Sequence, residues 1–251
     1  DAPPRSGLIA SFEDLRQVPA DRLTNDKHRR VHAATVSGEP YFDAAATNEL
    51  RGLPFPRAYL DFETMGYAVP QVVGTRPYEQ WPFQWSLHVE ESSGDMRHAE
   101  FLGVESFGDF ERLTDALLEA MPPSGPVLVY SASMERGVLE RLADRLPAHA
   151  ARLREVRDRL FDLLPVAQEA YYHRDMRGSW SIKSVLPTID PALGYAGLDE
   201  VQEGEAAQLA FLELRDKEVT AARRAQLLRA LREYCERDTW GMVVLGRFLS
   251  R

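Results

Sequence analysis

The chain has one cysteine, Cys235, in 251 residues. That excludes an intrachain disulfide and any Cys-x-x-Cys metal site, and it fits a reducing, cytoplasmic setting. No run of 18 apolar residues occurs, so no membrane span is expected. Positive charge is also scarce. Lys and Arg number 30 against 39 Asp and Glu, for a net charge of −9, and only three of the bases are lysines. Proteins that grip nucleic acid along an extended face are usually basic, so a broad, non-specific hold on duplex DNA is disfavoured. A small acidic metal site is not, because bound cations supply local positive charge. The start, Asp1-Ala2-Pro3-Pro4, lacks an initiator Met and any signal pattern, and reads as cut from a longer protein.

What is present is enough to bury a core: 44% of residues are hydrophobic. Residues 1–56 read as an irregular, polar extension or linker, with short helices over Ala10–Arg16 and Asp43–Leu50. The core begins at Arg57. Strands are expected over Ala58–Glu63, Phe83–Glu90, Arg97–Leu102, Val127–Tyr130 and Leu160–Leu163, with a hairpin turn at Ser92-Ser93-Gly94-Asp95. Helical periodicity marks Phe107–Met121, Glu135–Leu146, His149–Arg159, Pro165–Tyr172, Ser179–Leu186, Gly204–Leu214 and Thr220–Leu249. A meander of strands followed by helical crossovers predicts an α/β fold with a mixed sheet flanked by helices.

Three motifs carry chemistry. Asp61 and Glu63 stand two residues apart in an otherwise apolar strand, so both side chains share one face. Two acids there are costly to bury unpaired, and hard oxygen donors suit Mg²⁺ or Mn²⁺. Glu135 opens a helix just past a strand end, where helix polarity favours a carboxylate. Tyr234 and Asp238 lie four residues apart on one face of the last helix. Each motif alone has a bland reading, as solvated charge or a core-edge tyrosine.

Together they resemble the DEDD superfamily of 3′–5′ exonucleases, of ribonuclease H-like fold. That pattern has D-x-E on the first strand, an acid after the fourth, and Y-x-x-x-D on the final helix. The resemblance covers roughly residues 57–250 and implies a nuclease domain over 57–251 with a mixed five-stranded sheet. It implies that Asp61, Glu63, Glu135 and Asp238 hold two Mg²⁺ or Mn²⁺ ions, while Tyr234 orients or helps deprotonate the attacking water. The implied substrate is single-stranded DNA or RNA. Glu135 departs from the pattern, which has Asp there, and Ser131 replaces an asparagine. That departure motivates the rival reading: a catalytically weak ribonuclease H-like module binding nucleic acid or a partner domain.

The sequence also resembles an uncharacterised bacterial family, a domain of unknown function. The shared blocks are Tyr59–Thr64, Pro77–His88, Tyr130–Glu135, Gly178–Pro187 and Tyr234–Thr239. That resemblance implies an upstream Cas4-like nuclease region in the same polypeptide.

Four further residues are candidates for substrate contact. Tyr78 and Trp81 belong to an aromatic cluster with Phe83 and Trp85 that offers a stacking surface for bases, or else core. Lys183 is expected to meet a phosphate or pair with an acid, and Thr64 follows the acidic pair. Asp162, at a strand end, is a possible extra acid, Arg177 is a weaker phosphate candidate, and His88 reads as structural.

Overall fold

Strict alternation along the first long strand organises the fold. The computed structural model describes residues 14–105, 107–198 and 200–251. Its elements begin with α1 (Asp26–Ser37), β1 (Tyr41–Phe42) and α2 (Asn48–Gly52). A meander follows: β2 (Arg57–Met65), β3 (Trp81–Glu90) and β4 (Met96–Leu102). Then come α3 (Phe110–Ala120), β5 (Val127–Val129), α4 (Ser133–Arg145), α5 (Ala150–Asp158), β6 (Leu160–Asp162), α6 (Leu163–Ala170) and β7 (Tyr171–Tyr172). The chain closes with α7 (Ile182–Ile189), α8 (Gly204–Leu214) and α9 (Ala221–Leu249).

The main sheet has five strands in the order β4-β3-β2-β5-β6, and β1 pairs with β7 separately. β2, β3 and β4 are antiparallel neighbours, whereas β5 and β6 run parallel to β2, so the sheet is mixed as expected. Helices cover both faces. Ala58, Leu60 and Phe62 of β2 pack with Leu117, Leu139 and Leu142 on one side. Tyr59 and Leu128 face the other side, with Leu186, Phe211 and Leu231.

The second face is unusual in its polarity. Gln84, Ser86, His88 and Glu90 alternate along β3 and are all buried. Each finds a partner through α9 or β2. Gln84 Nε2 donates to the Leu231 carbonyl at 2.9 Å, and Ser86 Oγ lies 2.7 Å from Thr239 Oγ1. Glu90 accepts from Arg247 Nε at 2.7 Å and from the Tyr59 hydroxyl at 3.0 Å. Such bonds offset the cost of burying these polar groups. The ladder therefore also sets the register of α9 on the sheet.

The lead-in expected to be irregular is structured in its described part. β1 pairs antiparallel with β7 through Tyr41 opposite Tyr172. Leu50 is fully buried, and the Arg57 guanidinium donates to the Leu50 and Leu53 carbonyls. α1 escaped notice because it has no apolar stripe: Ala34 is its one buried residue. The helix expected over residues 10–16 falls mostly outside the described residues, and Leu15–Gln17 forms a single 3₁₀ turn. α7 starts at Ile182, three residues later than expected, and Ser181 before it makes no capping bond.

Candidate metal centre

The four carboxylates meet because three elements end or pass at one place. β2 presents Asp61 and Glu63 toward α9, on the face shared with Tyr59. A bulge follows directly: β2 steps from Glu63 to Thr64 while its partner residue on β3 steps from Gln84 to Pro82. Bulges raise local twist and re-aim neighbouring side chains. Here the extra residue is Phe83, which turns to stack on Phe211 of α8 with ring centroids 4.1 Å apart.

Glu135 arrives in the first turn of α4 and is buried. The turn ahead of it is held by Asp162, whose carboxylate accepts from Ser131 N and Ala132 N at 2.9 Å each. Asp162 also accepts from Leu164 N at 3.0 Å, capping α6. That acid is therefore occupied with three backbone amides and positions the loop behind Glu135. Ser131 takes a left-handed backbone, φ 71°, in this turn.

α9 supplies Tyr234 and Asp238, both buried. The Tyr195 hydroxyl donates to Asp238 Oδ1, and the Lys183 ammonium donates to the Tyr234 hydroxyl at 3.1 Å and to the Gln202 carbonyl at 2.6 Å. Lys183 also stands 4.9 Å from the Tyr234 ring centre and 5.1 Å from that of Tyr195.

The electrostatics are those of crowded acids. Burial pushes Asp61 and Glu63 well above the carboxylate range, and Asp238 and Glu135 push them further while Lys183 opposes. Burial raises Glu135 to about 7, with Asp162 adding to the rise. Burial raises Asp238 to about 6, against the Tyr195 hydrogen bond and Lys183. Burial and the neighbouring acids push the Tyr234 phenol up as well, so it stays protonated at neutral pH. Two observations fit a divalent cation. Buried Glu135 Oε2 has no hydrogen-bond partner. Ligand atoms of Asp61, Glu63 and Cys235 lie within 4.8 Å of one another.

Of the residues singled out in sequence, Asp61, Glu63, Glu135, Tyr234, Asp238 and Lys183 converge. Thr64 sits at the edge, buried, donating to Gln80 Oε1 at 3.0 Å. Trp81 does not belong. It is buried, stacks on Phe110 with centroids 4.5 Å apart, and has Arg145 against its ring at 5.4 Å. It has no free face for a base, because β3 begins at Trp81 and holds it against Phe110 of α3. Tyr78 is 71% exposed on the loop before β3. Tyr195 and Cys235 were missed. Tyr195 comes from a single 3₁₀ turn, Tyr195–Gly197, with no periodic pattern to mark it. Cys235 follows Tyr234 in sequence, and its Sγ approaches Asp61 Oδ2 at 4.0 Å.

Residues 58–181 match DUF2779, described as a domain of unknown function. The DUF2779 match runs from β2 to the residue before α7, so it includes Asp61, Glu63 and Glu135. An uncharacterised protein of Mycoplasma pneumoniae, the MG366 homolog, is 27% identical over 77% of this chain and 32% of its own length. The uncharacterised protein MG366 of Mycoplasma genitalium is 25% identical over 98% of the chain and 42% of its own length. The uncharacterised protein UU173 of Ureaplasma parvum is 23% identical over 94% of the chain and 39% of its own length. The chain thus spans well under half the length of these relatives. No solved structure matches it.

Proposed function

We propose that the chain is a metal-dependent nuclease of the DEDD type, a 3′–5′ exonuclease acting on single-stranded DNA or RNA. The observation that carries this reading is the convergence of four carboxylates from β2, α4 and α9, with Glu135 Oε2 left without a partner. The mixed sheet of meander plus parallel crossovers supports the ribonuclease H-like part of the reading.

Asp61, Glu63, Glu135 and Asp238 would hold two Mg²⁺ or Mn²⁺ ions. When bound, such a pair activates a water and neutralises charge on the leaving oxygen of an in-line displacement. The protein's own groups do the positioning. The Tyr195 hydroxyl fixes one oxygen of Asp238. The Tyr234 phenol, protonated, orients the attacking water by hydrogen bonding rather than by taking its proton. Lys183 offsets part of the acids' charge and stands ready for a substrate phosphate. With Arg177 and Ser179 it also lines a cavity of about 460 Å³ that meets the centre through Lys183. The greater length of the relatives leaves room for an upstream nuclease region of the Cas4-like kind.

The test is degradation of 5′-labelled single strands with Mg²⁺ or Mn²⁺. The wild type should shorten them from the 3′ end. Asp61→Ala and Asp238→Ala should each lower the rate by about 10³-fold or more, as expected for residues acting as a unit. Activity unchanged from the wild type in both variants would overturn the proposal.

A further inference from the structure

The polar ladder between β3 and α9 contains a group that the carboxylate centre does not use. His88 and His98 are direct cross-strand partners, with rings stacked at 4.4 Å between centroids. Glu236 of α9 approaches the pair. One ligand atom from each of the three residues lies within 4.8 Å of the other two.

One proton arrangement satisfies every one of these contacts. Thr239 Oγ1 lies 3.1 Å from the Glu236 carbonyl and 3.4 Å from that of Cys235, and donates its proton there as helical threonines do. Its two lone pairs then accept from Ser86 Oγ at 2.7 Å and from His88 Nδ1 at 2.8 Å. Ser86, having donated, accepts from His98 Nε2 at 2.9 Å. In that arrangement His88 carries its proton on Nδ1 and His98 on Nε2. The other nitrogen of each ring keeps a bare lone pair. His98 Nδ1 faces Glu236 Oε1 across 3.9 Å. Two acceptors stand opposite each other there, too far apart for a hydrogen bond.

Metal-ligating histidines share this arrangement: one ring N–H is anchored, which fixes the tautomer and turns the other nitrogen to the ion. Two imidazoles and a carboxylate suit Zn²⁺ and its neighbours rather than Mg²⁺. From this geometry we infer that His88, His98 and Glu236 form a second metal site, for Zn²⁺ or a similar transition-metal ion, that clamps α9 to the β3–β4 hairpin. The His98 and Glu236 side chains are 24% and 52% exposed, which gives the ion an entry path and room for a water as fourth ligand. Burial also pushes His88 down to about 4, so its ring needs no deprotonation at neutral pH.

The test uses the whole chain carrying Asp61→Asn, so that the oxygen-rich centre contributes least. Zn²⁺ is titrated by calorimetry and Co²⁺ by its visible bands. One ion per chain is expected. His98→Ala and Glu236→Gln, both at accessible positions, should each weaken binding by about tenfold or more and remove the Co²⁺ bands. Circular dichroism checks folding, and if His98→Ala is unfolded, Glu236→Gln decides. Unchanged affinity in the folded variants, or no Zn²⁺ binding at millimolar concentration, overturns the site.

Discussion

The Lys183 ammonium donates to the Tyr234 hydroxyl at 3.1 Å, which puts a lysine at the acidic centre of a chain that has only three. Its charge draws Asp61, Glu63 and Asp238 back toward ionisation. Lys183→Met should let those acids hold their protons more tightly. The pH for half-maximal Mn²⁺ binding should then rise by about one unit, with the nuclease rate down on the order of tenfold. Calorimetric Mn²⁺ titrations at three pH values check this. An unchanged pH dependence would remove Lys183 from the centre's electrostatics.

The ion-free protein should lose stability as pH rises. Glu135 is raised from 4.5 to about 7 and Asp238 from 3.8 to about 6. Between the unfolded and folded values the native state binds more protons than the unfolded chain, so this contribution is full at low pH and is lost through pH 7. Thermal melts in chelator at pH 5 and pH 8 should show that loss in the wild type and less of it in Glu135→Gln. Mn²⁺ should restore the wild type at pH 8. A wild type and variant with the same pH profile would contradict the raised Glu135.

Tyr195→Phe removes one hydroxyl and nothing else. Asp238 then loses its donor and turns more freely. The rate should fall by about tenfold, mainly in kcat, with binding of the strand little changed. Steady-state kinetics on a short single strand separate the two, and a fall confined to KM would assign Tyr195 to substrate binding instead.

The two aromatic residues that look alike in sequence should behave oppositely. Trp81→Ala opens a core cavity beside Phe110 and should cost about 3–5 kcal/mol of stability. Tyr78→Ala, on the surface, should stay within about 0.5 kcal/mol. Denaturant unfolding of both variants checks the contrast. A stable Trp81→Ala would return Trp81 to the list of candidate stacking residues.

Legibility followed periodicity. Asp61 and Glu63 could be placed on one face because a strand alternates, and Tyr234 with Asp238 because a helix repeats every three to four residues. The five strands and most helices were visible for the same reason. α1 was not, since its sequence is polar, with Ala34 its one buried residue, and Arg30 ties it to the Gln168 carbonyl instead of an apolar stripe. Trp81 was misplaced because β3 begins at Trp81, two residues before the strand expected from Phe83. Tyr195 reaches Asp238 from 43 residues away in the chain, and no local rule announces such a contact. His98 and Glu236 were passed over because their meeting depends on strand register and helix docking together.

α9, 29 residues long, carries Tyr234, Glu236, Asp238 and Thr239 and lies after every other element described. During synthesis the sheet and its first three acids emerge long before their fourth. A nascent chain or a fragment ending before residue 221 lacks Asp238 and Tyr234. The four-carboxylate cluster is thus complete only once the helix docks.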